Sequence, residues 1–167
     1  VKSSPFNVRC VRRVNKLEVE IQGPMEVCYK DTAHLNAHII KGNGGYTFQW
    51  NTGESLPMVK QVPLVNTTYT ITVTDASGQD TIIEYSVLVK ALPAVTITAP
   101  SVVCEGDALM LSATSSASVY NWSGPMGFSS NSLNPVIPSV SLANTGVYTL
   151  SVTDNNSCSD TATISIN

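Results

Sequence analysis

Short stretches of strict alternation dominate the chain. In residues 17–22, Leu17, Val19 and Ile21 share one face and Glu18, Glu20 and Gln22 the other, the period-two signature of a half-buried strand. Gly23-Pro24 ends that stretch. Residues 34–40 alternate again, with Leu35, Ala37 and Ile39 inward, and the Lys41-Gly42-Asn43-Gly44-Gly45 run reads as a turn. Residues 46–51 carry Trp50, and residues 68–75 place Tyr69, Ile71 and Val73 on one face. Ala76-Ser77-Gly78 then turns the chain into residues 81–89. No window of helical period competes with this pattern, so an all-β fold is expected.

The pattern then repeats. Pro24 and Pro100, Cys28 and Cys104, Asp31 and Asp107, and Leu35 and Leu111 each lie 76 residues apart. Trp50 and Trp122 are separated by 72; Tyr69 and Tyr148, Val73 and Val152, and Asp75 and Asp154 by 79. Matches at near-constant offset, with the shifts confined to loops, mark a tandem duplication. The expected organisation is an N-terminal segment over residues 1–15, one sandwich over 16–91 and a second over 92–167. Leu92-Pro93-Ala94 would be a short, stiff link. Trp50 and Trp122 are expected at the two centres, with Tyr69 and Tyr148 as buried corner residues.

Three motifs of the second copy carry a family resemblance. Val103-Cys104-Glu105-Gly106-Asp107, the run from Asn121-Trp122 through Gly124-Pro125-Met126-Gly127-Phe128, and the run from Asn144 to Asp154 are similar to those of tandem immunoglobulin-like repeats of large Bacteroidetes-type surface and adhesin proteins. The first copy resembles the same family through Cys28, Trp50 and Tyr69-Thr70-Ile71-Thr72-Val73-Thr74-Asp75, and its outline also resembles PKD-type modules. The resemblance implies two tandem immunoglobulin-like β-sandwiches. Phe6-Asn7-Val8-Arg9-Cys10-Val11-Arg12 resembles the end of a domain family of Fibrobacter-type major paralogous proteins. That stretch reads either as the last strand of an upstream domain or as a leader or extra strand on the first sandwich.

Four cysteines without a CxxC pair suit disulfides in an oxidising compartment rather than zinc. Cys104 and Cys158 are expected to bond, closing a loop worth about 4 kcal/mol on the chain-entropy account. The position matching Cys158 in the first copy is Gln79, which deprives Cys28 of the corresponding partner. Cys28 then bonds Cys10, or Cys10 pairs upstream and Cys28 is a free thiol.

Composition narrows the chemistry. The net charge is −3 and charged residues make up only 13%, so there is no basic footprint for nucleic acid; the Arg9, Arg12, Arg13 cluster is too small to provide one. No apolar run is long enough for a membrane-spanning helix. Val1-Lys2-Ser3-Ser4-Pro5 lacks a signal-peptide pattern, and the chain is expected to be a fragment of a longer one. His34 and His38 share a strand face but would stand roughly 13 Å apart, too far to chelate one ion. Asp75, Asp80, Asp154 and Asp160 sit at strand ends, where turn formation is the expected role and calcium the alternative. No catalytic residue, cofactor or metal site is expected. Met126 and Phe128 form the candidate binding loop, unless Phe128 folds back over the sandwich.

The expected role is a non-catalytic module pair at the cell surface or outside the cell: a spacer or adhesion stalk joined to other domains of the same polypeptide. The alternatives are recognition of a glycan or protein, and an accessory part of a secreted enzyme.

Overall fold

The computed structural model describes residues 15–167. It divides into two compact units with the boundary between Val89 and Lys90. The first contains β1 (Glu18–Gln22), β2 (Glu26–Cys28), β3 (Ala33–Lys41), β4 (Thr47–Trp50), β5 (Met58–Gln61), β6 (Thr67–Thr74) and β7 (Asp80–Lys90). These form a three-stranded sheet, β1-β3-β5, and a four-stranded sheet, β2-β7-β6-β4. The alternation read from the sequence explains the packing. Leu35 and Ala37 on β3 and Tyr69, Ile71 and Val73 on β6 are buried, while their neighbours face outward. Complete burial of one such aliphatic side chain contributes about 1.5–3 kcal/mol.

The second unit contains β8 (Val95–Thr98), β9 (Leu109–Met110), β10 (Ser112–Ser115), β11 (Val119–Ser123), β12 (Ser129–Ser130), β13 (Val136–Ile137), β14 (Gly146–Thr153) and β15 (Ser159–Ile166). The four-stranded sheet runs β12-β11-β14-β15. β9 and β10 are interrupted only at Leu111, whose N–H turns to the Pro135 carbonyl; β13 pairs with the first piece and β8 with the second. The β6–β7 and β14–β15 hairpins share one register. Thr67 faces Val87 and Thr74 faces Asp80 in the first; Gly146 faces Ile166 and Thr153 faces Ser159 in the second, each residue 79 positions on. Both units are antiparallel immunoglobulin-like sandwiches, and two short 3-10 turns are the only helical segments among the described residues.

Two expectations about strands need revision. Trp122 lies on β11, inside its sheet, but Trp50 ends β4, an edge strand. Trp50 is nonetheless buried, because the 51–57 loop folds over it and the Leu56 carbonyl accepts its indole N–H at 2.8 Å. Two short strands, β2 and β5, carry no alternation signal in the first copy: at three and four residues, they offer too few positions for a period to register.

Candidate functional site

The residues singled out in the second unit converge on Tyr148. Its ring is buried, and its hydroxyl donates to the Asn144 carbonyl at 2.9 Å. The corner is built locally. Leu142–Asn144 forms a 3-10 turn in which the Asn144 side chain accepts from the Ser141 N–H at 2.9 Å, while the Thr145 hydroxyl donates to the Leu142 carbonyl at 2.8 Å. Tying a corner tyrosine to the backbone a few residues upstream fixes the chain's entry into β14.

The 124–128 loop lies against the same ring. Phe128 meets Tyr148 edge-on, with ring centroids 5.6 Å apart and planes at 68°, a favourable aromatic geometry. Phe128 is therefore partly buried, packed back against the sandwich. Gly124 is required by proximity, since a Cβ there would stand 2.7 Å from Tyr148 Cε1. Met126 does the opposite: it is 75% exposed at a left-handed φ of 57°, a conformation that costs a non-glycine residue about 1–2 kcal/mol. Of the two candidate loop residues, only Met126 is displayed.

Tyr69 matches Tyr148 in burial and not in bonding. The carbonyl that would receive its hydroxyl, Val65, takes the Thr67 hydroxyl at 2.7 Å. Burial raises the Tyr69 phenol above its usual range, opposed by a bond to Thr67 and assisted by the nearby Glu54 carboxylate. Glu54 itself accepts from Gln61 Nε2 at 2.7 Å and has its other carboxylate oxygen buried. This cluster carried no sequence signal, because its members are spread over the loop and two strands.

Asp75 and Asp154 hold turns. Asp75 Oδ1 accepts from the Ser77 N–H at 2.9 Å, the Ser77 hydroxyl at 2.6 Å and the Gln79 N–H at 3.2 Å; its Oδ2 accepts from the Asn43 N–H and side chain at 3.1 and 2.8 Å. The Ser77 hydroxyl is the foremost cause holding this carboxyl far below the usual range, against the opposing effect of burial. Asp154 repeats the turn, accepting from the Asn156 and Cys158 N–H groups at 2.8 and 2.9 Å. Burial works to raise its pKa, and the Cys158 N–H, both Asn156 donors and Lys90 outweigh it, so the net direction is down. Each such donor takes up carboxylate lone-pair capacity that a cation would otherwise use. His34 and His38 are both exposed on β3. A shallow open depression over Thr98, Pro100, Met110 and Ser112 has no titratable group in its lining.

The cysteine pairing departs from expectation. Cys104 is free and exposed, so the Cys104–Cys158 bridge does not form; Cys28 and Cys158 are both disulfide-bonded. The reason is distance along β15. The turn holding Cys104 lies at the Asn167 end, where the Asn167 N–H bonds the Ser101 carbonyl. Cys158 precedes Ser159 at the other end. Eight extended residues span roughly 25 Å, whereas bonded cysteines need Cα atoms within about 7 Å. The reading of Cys28 as a free thiol also falls; Cys10 lies outside the described residues.

No family model matches the chain, and no curated protein matches it. Solved structures do. An amphioxus IgVJ-C2 molecule is 18% identical over 85% of this chain and 99% of its own, with a TM-score of 0.40. The three N-terminal domains of the bacteriophage RB49 highly immunogenic outer capsid protein are 18% identical over 91% of this chain and 58% of theirs, at 0.42. A complex of Dpr11 IG1 bound to DIP-gamma IG+IG2 matches at 12% identity over 90% of this chain and 98% of the matched one, at 0.38. Likenesses this distant assign no ligand or activity.

Proposed function

We propose that the chain is a non-catalytic pair of immunoglobulin-like modules from a larger bacterial surface protein, of the Bacteroidetes-type repeat kind, serving as a spacer or adhesion stalk outside the cell. One observation carries this reading: the polar side chains best suited to chemistry are spent inside each sandwich on holding turns. Asp75 and Asp154 close equivalent hairpins, and the Asn144 side chain holds the 3-10 turn at the tyrosine corner by accepting the Ser141 N–H. Apart from Val147, the outward positions over the paired length of β14 and β15 are instead hydroxyl-bearing: Thr149, Ser151 and Thr153 beside Thr163, Thr161 and Ser159. Such a surface keeps a low-charge module soluble without forming a cleft. Among the described residues, no helix is long and apolar enough to cross a membrane.

Single-molecule extension of the 167-residue chain, with its disulfides reduced, tests the spacer. Two separate unfolding events are expected, each releasing the length of one sandwich. A single event, or extension without resistance, would remove the mechanical role. A second reading, recognition of a glycan or protein, draws on Met126, which is exposed in a strained conformation. Capture of a ligand on glycan or protein arrays, lost on Met126→Ala, would favour it over the spacer.

A further inference from the structure

We propose that the chain self-associates through the outer edge of β15, two copies pairing antiparallel so that their four-stranded sheets become one. β15 ends the order β12-β11-β14-β15 and is eight residues long. The other described strands that end a sheet order in the two four-stranded sheets and in β1-β3-β5 have two to five residues. Natural sheets blunt their edges with shortness, bulges and charge. β1 has a register shift at Glu18/Val19 and carries Glu18, bonded to Lys41, and Glu20; β5 carries Lys60. In β15, Ser-Asp-Thr-Ala-Thr-Ile-Ser-Ile has no proline, lysine or bulge, and Asp160 is its one charge.

The nearest counterpart is β7, and it is protected differently. β2 joins its sheet edge, with the Leu88 N–H bonded to the Met25 carbonyl, and the rest of that strand displays Asp80 and Glu84. In the second unit, among the described residues, the matching cover shrinks to one bond, from the Asn167 N–H to the Ser101 carbonyl. β8 runs close to β15 from the other sheet but pairs with β10, so residues 159–165 have no ladder partner on that side among the described residues.

A second copy is the occupant that this edge fits. Antiparallel pairing centred on Ala162 sets Thr161 against Thr163 and Ser159 against Ser165, hydroxyl pairs that favour cross-strand association. It sets Asp160 against Ile164, so the one charge never meets itself. The contact is isologous and uses up both long edges, so assembly stops at two. A single added ladder is a small interface, which makes the dimer weak and reversible.

Sedimentation velocity of the 167-residue chain, run from dilute to concentrated, is the test, with amide hydrogen exchange followed in parallel. Concentration-dependent dimerisation is expected, together with slower exchange at alternate amides within 159–165. The Thr161→Lys/Thr163→Lys variant changes two solvent-facing residues and should weaken the dimer by at least about tenfold through like-charge repulsion. A monomer at every concentration would overturn the proposal. So would a dimer undiminished in the variant, or new protection confined to another surface. The exchange measurement on the unsubstituted chain decides the matter even if the variant fails to fold.

Discussion

The two sandwiches share a scaffold and differ in how they finish it. Their β6–β7 and β14–β15 hairpins share one register, and each begins its turn with an aspartate whose carboxylate accepts two backbone N–H groups of that turn. The first unit then adds polar reinforcement at that end. Asn43, from the β3–β4 loop, gives two hydrogen bonds to Asp75, and Gly44 accepts the Ala76 N–H. The second unit invests at the opposite end, in the Asn144 corner and the Phe128–Tyr148 contact. Edges diverge in the same way: β2 extends the sheet beside β7, whereas β12 extends it beside β11. The lesson is that the inward positions of a duplicated sandwich are constrained by packing, while ends and edges are free to be completed by whatever polar group lies near.

Substitutions at matched positions can break this comparison. The largest effect should come from the tryptophans. Trp122→Ala and Trp50→Ala each remove a fully buried ring and should cost about 3–5 kcal/mol, enough to unfold a sandwich of this size. Calorimetry should show only the substituted unit's transition lost. Loss of both transitions together would mean that the units are not independent.

The aspartates sharpen the contrast through pH. A carboxyl held below its unfolded value stabilises the fold fully above about pH 4 and loses that contribution as pH falls through the folded pKa. Both Asp75 and Asp154 are shifted this way, Asp75 the further. Asp75→Asn should therefore flatten the acid limb of the first unit's melting curve more than Asp154→Asn flattens the second's. Equal flattening would assign no weight to Asn43.

Tyrosine substitutions should give a smaller difference. Tyr148→Phe gives up a bond to a backbone carbonyl worth about 1 kcal/mol, lowering the second unit's Tm by roughly 4–8 °C. Tyr69→Phe should lower the first unit's Tm by less, because Thr67 already occupies the Val65 carbonyl. The reverse order of Tm losses would undo the corner argument. The smallest change is expected at Ser157, which adopts φ 65° where the first unit has Gly78 at 81°. Ser157→Gly should stabilise the second unit by at most about 1 kcal/mol, visible as a rise in its urea midpoint.

Much of this architecture was legible in the chain. Alternation marked the long strands because one face of each is buried, and the inward residues could be named: Leu35, Ile71, Val73, Leu111, Val152. The turn role of Asp75 and Asp154 was legible because it is local, each carboxylate bonding donors two and four residues ahead. Phe128 was ambiguous, since a loop aromatic can turn either way and only the Tyr148 ring decided it. β12 was invisible at two residues.

What the sequence determined by itself, then, is a duplicated all-β pattern with a tryptophan and a tyrosine at matched inward positions, because burial of alternate side chains is written in period two. The tertiary structure alone decided the fate of the cysteines and the edges. Cys28 and Cys104 occupy the same place in the repeat, and their carbonyls accept the same turn bonds, from Asp31 and Asp107. One is bonded and the other is exposed and free. A disulfide depends on two sulfurs meeting within a few ångströms, and strand edges on what lies beside them in space. Neither distance is encoded in spacing along the chain.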